Sequence, residues 1–347
     1  MASAVNNENR YNLKKKKIAL ALQGGGSHGA YTWGILERIL QEETFDIRGI
    51  CGTSAGAMNA AMCIYGMHKG GNVKAIEMLD TFWMKIANNA SYTPFHPLFE
   101  APGYDGDLMF SPAFQFFNLL TNTLSPYQFN PLDINPLRDL LIELIDFDDL
   151  NTAGSKLFVS ATNVRKCKPK VFKTPNITVD MLMASACLPM LYKAVEIDGE
   201  HYWDGGYMGN PPIYPLIDYT DSKDILLVKV NPTEIKEVPR TVREIQDRIN
   251  DISFNSSLGA EMRMIHFKDR ILNIGYDLKG KLRKIYFHEI SADEDLAEYS
   301  LSSKFNISKE FLLKLKKQGI AAADKWIKEN YSKVEEESTL NIRKVFL

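Results

Sequence analysis

Short apolar runs alternate with helix-like repeats in the first part of the chain. Residues 17–23 and 46–51 are runs of β-favouring apolar side chains, as expected for strands that are buried on both faces. Each run ends in a glycine-rich segment, and apolar residues at helical spacing follow over 30–43 and 57–67. Two successive strand–turn–helix units predict a parallel sheet with helices packed on both of its faces.

The same periodicity assigns most of the remaining chain and places it in the α/β class. The further predicted strands are residues 156–161, 170–173, 194–197, 201–203, 225–230 and 284–290. The further predicted helices are residues 111–123, 136–145, 178–188, 242–272 and 309–329.

Charge and cysteine usage exclude several functional classes. The 347 residues include 41 Lys and Arg against 43 Asp and Glu, a net charge of −2, which gives no basic field for a nucleic-acid partner. The four cysteines (Cys51, Cys63, Cys167 and Cys187) lack metal-ligand spacing, so no metal is predicted and a reducing, cytoplasmic location fits. The apolar run after Lys17 is too short for a signal peptide, and no run of about 18 apolar residues predicts a transmembrane helix.

A G-x-S-x-G pattern joins the second predicted strand to the helix after it. Gly52 and Gly56 flank Ser54, and they let the backbone make a sharp strand-to-helix turn without clashes of a β-carbon. Such a turn lifts the serine hydroxyl above the carboxyl edge of the sheet, at a helix N-terminus that favours negative charge. The pattern therefore predicts Ser54 as a nucleophile; the alternative is a helix N-cap turn without chemistry.

The first predicted strand ends in three successive glycines, Gly24, Gly25 and Gly26, and Gly29 follows one turn later. Bare backbone N–H groups at a helix N-terminus suit an oxyanion, and the N–H of Ala55 would add to them. We therefore predict that these amides form an oxyanion hole for a tetrahedral intermediate.

The same glycines match the dinucleotide-binding pattern G-x-G-x-x-G, which is the competing interpretation. That pattern requires an acidic residue at the carboxyl end of the second strand. Here Asp46 lies at the start of that strand, and Ser54 follows its far end. This placement disfavours a dinucleotide cofactor.

A serine nucleophile needs a base within hydrogen-bond reach, and Asp204 is the candidate. It follows a short predicted strand and precedes Gly205 and Gly206, which permit a tight turn and the close approach of another loop. An isolated Asp–Gly pair is commonly a β-turn without chemistry, and Asp198 with Gly199 is interpreted in that way.

Three motifs in this order resemble the patatin-like phospholipase family: GGGSHGAYTWGIL from Gly24, GTSAG around Ser54 and DGG from Asp204. The segment 184–189 also resembles the family's A-S-x-x-x-P segment. The resemblance covers roughly residues 17–230 and implies a three-layer α/β/α sandwich with a mostly parallel central sheet. It implies a Ser–Asp dyad without a catalytic histidine, hydrolysis of acyl esters in phospholipids or related lipids, and neither a metal nor an organic cofactor.

The resemblance sets the predicted domain organisation. A catalytic domain spans residues 16–240 and is preceded by a flexible arm, residues 1–15. Residues 90–135 are rich in proline and aromatic side chains and are predicted to be an insertion, either a lid over the site or ordinary core. Residues 241–347 are predicted to be a helical extension packed on the catalytic domain. The expected partner is a lipid substrate, met by peripheral contact with a membrane, and the oligomeric state stays open.

One residue departs from the family's pattern. The family carries Arg or Lys before the last glycine of the glycine-rich loop, and this chain has His28. A histidine there would replace a fixed charge with a titratable one, so we predict that His28 holds the loop or an anion. On that interpretation His28→Arg keeps activity and flattens its pH dependence between about pH 5.5 and 7.5.

Two alternatives to a dyad hydrolase stay open. A Ser–Asp–His triad would use His266 or His288, which follow Asp204 as the α/β-hydrolase order requires, although a structural role is favoured because both lie in predicted regular elements. The chain could instead be a non-catalytic lipid-binding or storage protein on the same fold. The presence of both Ser54 and Asp204 argues against that alternative.

Overall fold

One sheet organises the part of the chain that the structure describes. The computed structural model describes residues 15–88, 106, 108, 111–235, 237–273 and 283–347. Nearly all of the predicted N-terminal arm, and much of the predicted insertion, lie outside these residues.

The sheet has eight strands among the described residues, in the order β5-β6-β3-β2-β1-β7-β8, and β4 pairs separately with β3. The strands are β1 (Lys16–Leu22), β2 (Phe45–Gly52), β3 (Lys156–Asn163), β4 (Lys168–Lys173), β5 (Val195–Ile197), β6 (Glu200–Asp204), β7 (Asp224–Lys229) and β8 (Tyr286–Ser291).

Helices pack on both faces of this sheet. They are α1 (Gly29–Gln41), α2 (Ala55–Asn88), α3 (Pro112–Thr123), α4 (Pro126–Phe129), α5 (Pro136–Leu144), α6 (Phe147–Leu150), α7 (Val179–Ser185), α8 (Tyr214–Tyr219), α9 (Val242–Asn273), α10 (Lys309–Asn330) and α11 (Ile342–Phe346). No described helix combines the length and the apolar composition needed to span a bilayer.

The core of the sheet is parallel. β1 lies between β2 and β7, and the pairs β1–β2, β1–β7, β2–β3 and β7–β8 are all parallel. β4, β5 and β6 run antiparallel to their neighbours. The predicted α/β class, with a mostly parallel sheet between helices, is confirmed.

Alternation along β1 sorts its side chains into two hydrophobic cores. Ile18, Leu20 and Leu22 pack in the core shared with α1, α2 and α10. Ala19 and Ala21 point to the other face and pack with residues of α8, α9 and α11. All five side chains are fully buried, so β1 lies inside the middle of three layers.

Helix α2 extends beyond its predicted end at residue 67. Gly70 and Gly71 interrupt it, and Gly71 has a φ of 69° that favours glycine. The chain then resumes a helix to Asn88 because its apolar residues, including Leu79 and Trp83, return to the core on the same face of the sheet.

The segment 241–347 contributes an edge strand as well as helices. β8 pairs with β7, and α10 crosses α1 with backbone close to backbone. A β-carbon on Gly34 of α1 would clash with the carbonyl oxygen of Lys316. One on Gly319 of α10 would clash with the carbonyl oxygen of Tyr31. These contacts tie the segment to the same core as the first βα units.

Candidate active site

Strand β3 brings the two candidate catalytic residues to one place. Its residue Val159 is the register partner of Gly52, the last residue of β2. Ala161, two positions further along, is the partner of Asp204, the last residue of β6. Two residues of strand span about 7 Å, so the turn after β2 and the end of β6 meet beside β3.

Ser54 sits on a strained turn between β2 and α2. Its φ is +54°, in the left-handed region that a non-glycine residue rarely adopts. The turn leaves no space at its flanks, because a β-carbon on Gly52 would strike the backbone of Gly56, and one on Gly56 would strike the carbonyl of Leu22. The predicted role of both glycines in this elbow thus has a direct steric basis, and strain of this kind is found at functional sites.

A polar anchor that sequence reasoning missed holds the elbow. Ser185 is fully buried at the end of α7, and its Oγ accepts a hydrogen bond from the Ser54 N–H at 2.9 Å. Two residues later, the carbonyl of Cys187 accepts from the Asp204 N–H at 2.8 Å. One short segment therefore fixes the backbone at both candidate residues. The sequence located this segment through its resemblance but did not reveal its contacts.

The Asp204 carboxylate is fully buried and only half satisfied. Its Oδ1 accepts from the Gly206 N–H at 2.7 Å, whereas Oδ2 has no hydrogen-bond partner among the described residues. Burial raises the pKa of Asp204 to about 7, and the Gly206 N–H and the nearby Ser54 hydroxyl both act to lower it. A carboxylate in this environment is poised to change protonation state near neutral pH.

The two glycines after Asp204 allow crowding from both sides. A β-carbon on Gly205 would strike the Ser160 carbonyl, and one on Gly206 would strike the ring of Phe254. Phe254 comes from α9 and also packs edge-on against Tyr207, with ring centroids 5.1 Å apart. The DGG turn is therefore clamped between β3 and α9.

The glycine-rich loop carries bare amides toward the elbow. The N–H of Gly24 is already used, since it donates to Asn210 Oδ1 at 2.7 Å. The N–H groups of Gly25, Gly26 and Ala55 have no acceptor in the part of the chain that the structure describes. Three of the four predicted oxyanion donors are thus available, and the fourth serves to position the loop.

Three buried amide side chains brace this loop, and none of them was predicted. Gln23 Oε1 accepts from the N–H groups of Val230 and Asn231 at 3.0 and 3.1 Å. The side-chain amide of Asn231 in turn donates to the Gly24 carbonyl at 2.6 Å. Asn210 Oδ1 accepts from the N–H of Gly24. No local pattern marks these amides, because their partners come from distant parts of the chain.

His28 lies beneath the loop rather than facing the site. It is 2% exposed, its Nε2 is 2.7 Å from Ser303 Oγ, and the rings of Tyr299 and Phe311 flank it. Burial, reinforced by the charge of Lys304, lowers the pKa of His28 to about 3. With a pKa in that range the buried ring stays uncharged near neutral pH, which argues against the expectation that His28 titrates there.

Neither histidine of the alternative triad contacts the dyad residues. The ring of His288 is fully buried, with Nε2 2.9 Å from Asp224 Oδ1 and Nδ1 2.9 Å from Thr339 Oγ1. His266 lies on α9 in a cavity of about 420 Å³ that it lines with Arg270 and residues at the end of the chain. The two rings therefore contact groups other than Ser54 and Asp204, which argues against a Ser–Asp–His triad.

The described residues offer little for a metal or a dinucleotide. Nowhere in the described ranges do three His, Cys, Asp or Glu side chains converge in a way that could hold a metal ion. Asp46 lies near the start of β2 and pairs with Arg48 at 3.3 Å, far along the strand from the glycine-rich loop.

Fold and site together define the class of α/β proteins that carry a serine on a strand-to-helix elbow beside a buried carboxylate. Within that class the chain belongs to the patatin-like phospholipase family, whose model matches residues 20–217. The matched span contains all three motifs, and the resemblance seen in the sequence is confirmed. Membership in this family indicates a lipid hydrolase.

Distant relatives extend this picture. YjjU of Escherichia coli K12, an uncharacterised protein, is 22% identical over 85% of this chain and 73% of its own length. A cGAMP-activated phospholipase of Pseudomonas aeruginosa is 26% identical over 65% of this chain and 64% of its own length. One of Vibrio cholerae is 26% identical over 58% of this chain and 57% of its own. The chain therefore spans somewhat less than two thirds of these two phospholipases.

Two solved structures show a weaker likeness. VipD from Legionella pneumophila is 14% identical, with a TM-score of 0.37, and the match covers 90% of this chain and 67% of VipD. ExoU from Pseudomonas aeruginosa is also 14% identical, with a TM-score of 0.32 over 90% of this chain and 53% of ExoU.

Proposed function

We propose that this chain is a lipid acyl hydrolase that cleaves carboxylic esters of phospholipids or related lipids through a Ser54–Asp204 dyad. The observation that carries the proposal is that the fully buried Asp204 carboxylate interacts with the Ser54 hydroxyl, which acts to lower the pKa of that carboxyl. Oδ2 of the same carboxylate has no close hydrogen-bond partner among the described residues. A buried oxygen without a hydrogen-bond partner destabilises the fold, so its presence calls for an explanation, and accepting a proton from the nucleophile is a catalytic role that supplies one.

In the proposed reaction, ionised Asp204 takes the Ser54 proton while Oγ attacks the ester carbonyl. The negative charge that forms on the carbonyl oxygen is met by the N–H groups of Gly25, Gly26 and Ala55, and by the positive end of α2. The C–O bond to the alcohol then breaks, and Asp204 returns the proton to the leaving oxygen. A water molecule repeats the sequence on the acyl-enzyme, which releases the fatty acid and restores Ser54.

Covalent labelling tests this proposal. A fluorophosphonate probe should modify the wild-type protein at Ser54, and Ser54→Ala should show neither labelling nor hydrolysis of a phospholipid panel. Ser256 is an exposed serine on α9 and supplies a matched control, since Ser256→Ala should label like the wild type. Lipid binding without labelling of Ser54 would instead support the storage or lipid-binding alternative.

The pH profile supplies an independent prediction. Below the pKa of Asp204, about 7, the carboxyl is protonated and cannot accept the Ser54 proton. We expect kcat/KM for a soluble short-chain ester to fall by about tenfold per pH unit below that value and to level off above it. Rates measured from pH 5 to pH 9 should show one ascending limb with a midpoint near neutral pH. A profile that stays flat down to pH 5 would contradict Asp204 as the base.

A further inference from the structure

Helix α9 begins with an exposed row of aliphatic side chains, here called the aliphatic stripe: Val242, Ile245, Ile249 and Ile252. Their spacing of three, four and three residues places them on one side of the helix. They are 75%, 44%, 59% and 54% exposed in that order. Contiguous exposed patches of large aliphatic residues are uncommon on soluble proteins, and they often mark sites that bind a protein or a membrane.

The stripe projects past the edge of the sheet at which the active site lies. Leu258, Met262 and Ile265 of α9 pack on the sheet face, and Phe254 packs on Gly206 of the DGG turn. The twelve residues of α9 before Phe254 rise about 1.5 Å each and form a helical arm of roughly 18 Å on the N-terminal side of that turn. Arg248, halfway along the arm, donates to the Thr233 carbonyl at 2.9 Å. The stripe is therefore carried on an arm beside the proposed catalytic residues.

The base of the arm is also tied to the glycine-rich loop. Asp251 pairs with Lys304 at 3.3 Å, and the carbonyl of Lys304 contacts Gly26 closely. Phe305, the next residue, packs on Phe114 of α3, with ring centroids 5.8 Å apart. On the exposed side of α3, Phe116 and Leu119 are 61% and 65% accessible. Two separate exposed apolar surfaces thus flank the turn that supports the oxyanion loop.

A basic hairpin reaches the same edge of the sheet. β3 pairs with β2 only as far as Val159 and runs on to Asn163, so its turn into β4 lies beyond the end of β2. Residues 164–173 contain five cations and no carboxylate. Its cationic side chains are all exposed: Arg165, Lys166, Lys168, Lys170 and Lys173. Of these, Lys166 pairs with Glu200, which leaves the hairpin with excess positive charge. Such a cluster is attracted to anionic lipid head groups.

We propose that the aliphatic stripe and the basic hairpin together form a surface that binds anionic phospholipid membranes. The arm inserts its aliphatic side chains between head groups while the hairpin lysines contact lipid phosphates. The bilayer then faces the edge of the sheet that holds Ser54. This inference rests on the proposed function only where it takes the membrane lipids to be the ester substrate; the binding surface itself is independent of catalysis.

The length of the stripe argues against a second copy of this chain as its occupant. A coiled coil between two copies is indicated by an apolar repeat that continues over three or four heptads. Here the next positions of the repeat are Ser256 and Gly259, and the stripe ends after two heptads. A lipid interface has no such length requirement.

Vesicle binding by the Ser54→Ala protein tests the surface without any catalysis. The full chain should sediment with phosphatidylcholine vesicles that contain phosphatidylglycerol, and less with phosphatidylcholine alone. Ile245→Gln with Ile249→Gln should weaken this binding by at least about tenfold. The matched control is Met264→Gln with Phe267→Gln, two exposed apolar residues on the second half of the same helix, which should change binding by less than about twofold.

A second pair of substitutions tests the basic hairpin. Lys168→Gln with Lys170→Gln should reduce both the preference for phosphatidylglycerol and the salt sensitivity of binding. The proposal is overturned if the wild-type surface ignores vesicles, or if stripe and control variants lose binding equally. It is also overturned if the stripe variant changes the oligomeric size and not the vesicle binding, since the occupant is then a second copy. Loss of probe labelling at Ser54 with vesicle binding intact would refute the hydrolase and leave this surface standing.

Discussion

Replacing Asp204 with asparagine is expected to reduce hydrolysis by about 10³-fold or more and, at the same time, to stabilise the fold at pH 8. Asparagine can still accept from the Gly206 N–H but cannot take the Ser54 proton. The stabilisation follows from linkage. The carboxyl has a pKa of about 7 when folded against 3.8 when exposed, so ionisation favours the unfolded chain.

The sign of this linkage fixes the pH window. The contribution of Asp204 to stability is fully present below pH 3.8 and is lost as the pH rises toward 7. Between pH 5 and pH 8 the wild type should therefore lose about 3 kcal/mol of unfolding free energy relative to Asp204→Asn. Denaturant unfolding of both proteins at the two pH values measures this difference. Both retain His28, so its own titration cancels.

Asp198→Asn is the matched control for that experiment. Asp198 belongs to the other Asp–Gly turn, between β5 and β6, and is exposed. Its φ of 52° is tolerated by asparagine as well as by aspartate. This variant should keep full activity and show no pH-dependent gain in stability. An equal response of the two variants, or an active Asp204→Asn, would contradict the role assigned to Asp204.

His28→Arg is expected to destabilise the protein by about 3 kcal/mol or more, the opposite of what the family pattern suggested. The site of His28 is fully enclosed by Tyr299, Phe311 and Ser303, and the neighbouring Lys304 adds like charge. A guanidinium there is larger than imidazole and cannot give up its charge. Thermal unfolding and yield of folded protein measure the effect.

The neutral variant His28→Gln separates charge from packing. Glutamine keeps a hydrogen-bonding group for Ser303 Oγ and should cost only about 1–2 kcal/mol. The wild-type ring itself loses stability as the pH falls below its unfolded value of 6.5, since the buried form resists protonation. If Arg is tolerated as well as Gln, then the cavity admits a charge, which would contradict the prediction that only a neutral side chain fits under the loop.

The motifs were visible in the sequence because each is local. Three glycines after an apolar run, a serine between two glycines and an aspartate before two glycines all describe turns whose geometry depends on adjacent residues. The order of apolar runs and helical repeats was equally local, and it predicted the parallel sheet. The anchoring roles of Ser185, Asn210 and Asn231 were not predictable, because each polar side chain meets backbone from a distant segment.

By itself, then, the sequence determined the α/β fold class, the family and the chemical types present at the candidate site. Only the tertiary structure decided which groups are buried from water, which backbone N–H groups already donate a hydrogen bond and which carboxylate oxygen lacks a hydrogen-bond partner. The physical reason is that a turn is set by steric limits within a few residues, whereas a pKa depends on everything that displaces water from a group. The sequence pattern suggests that His28 could carry a positive charge. The tertiary structure buries the ring under the glycine-rich loop, and burial keeps it neutral.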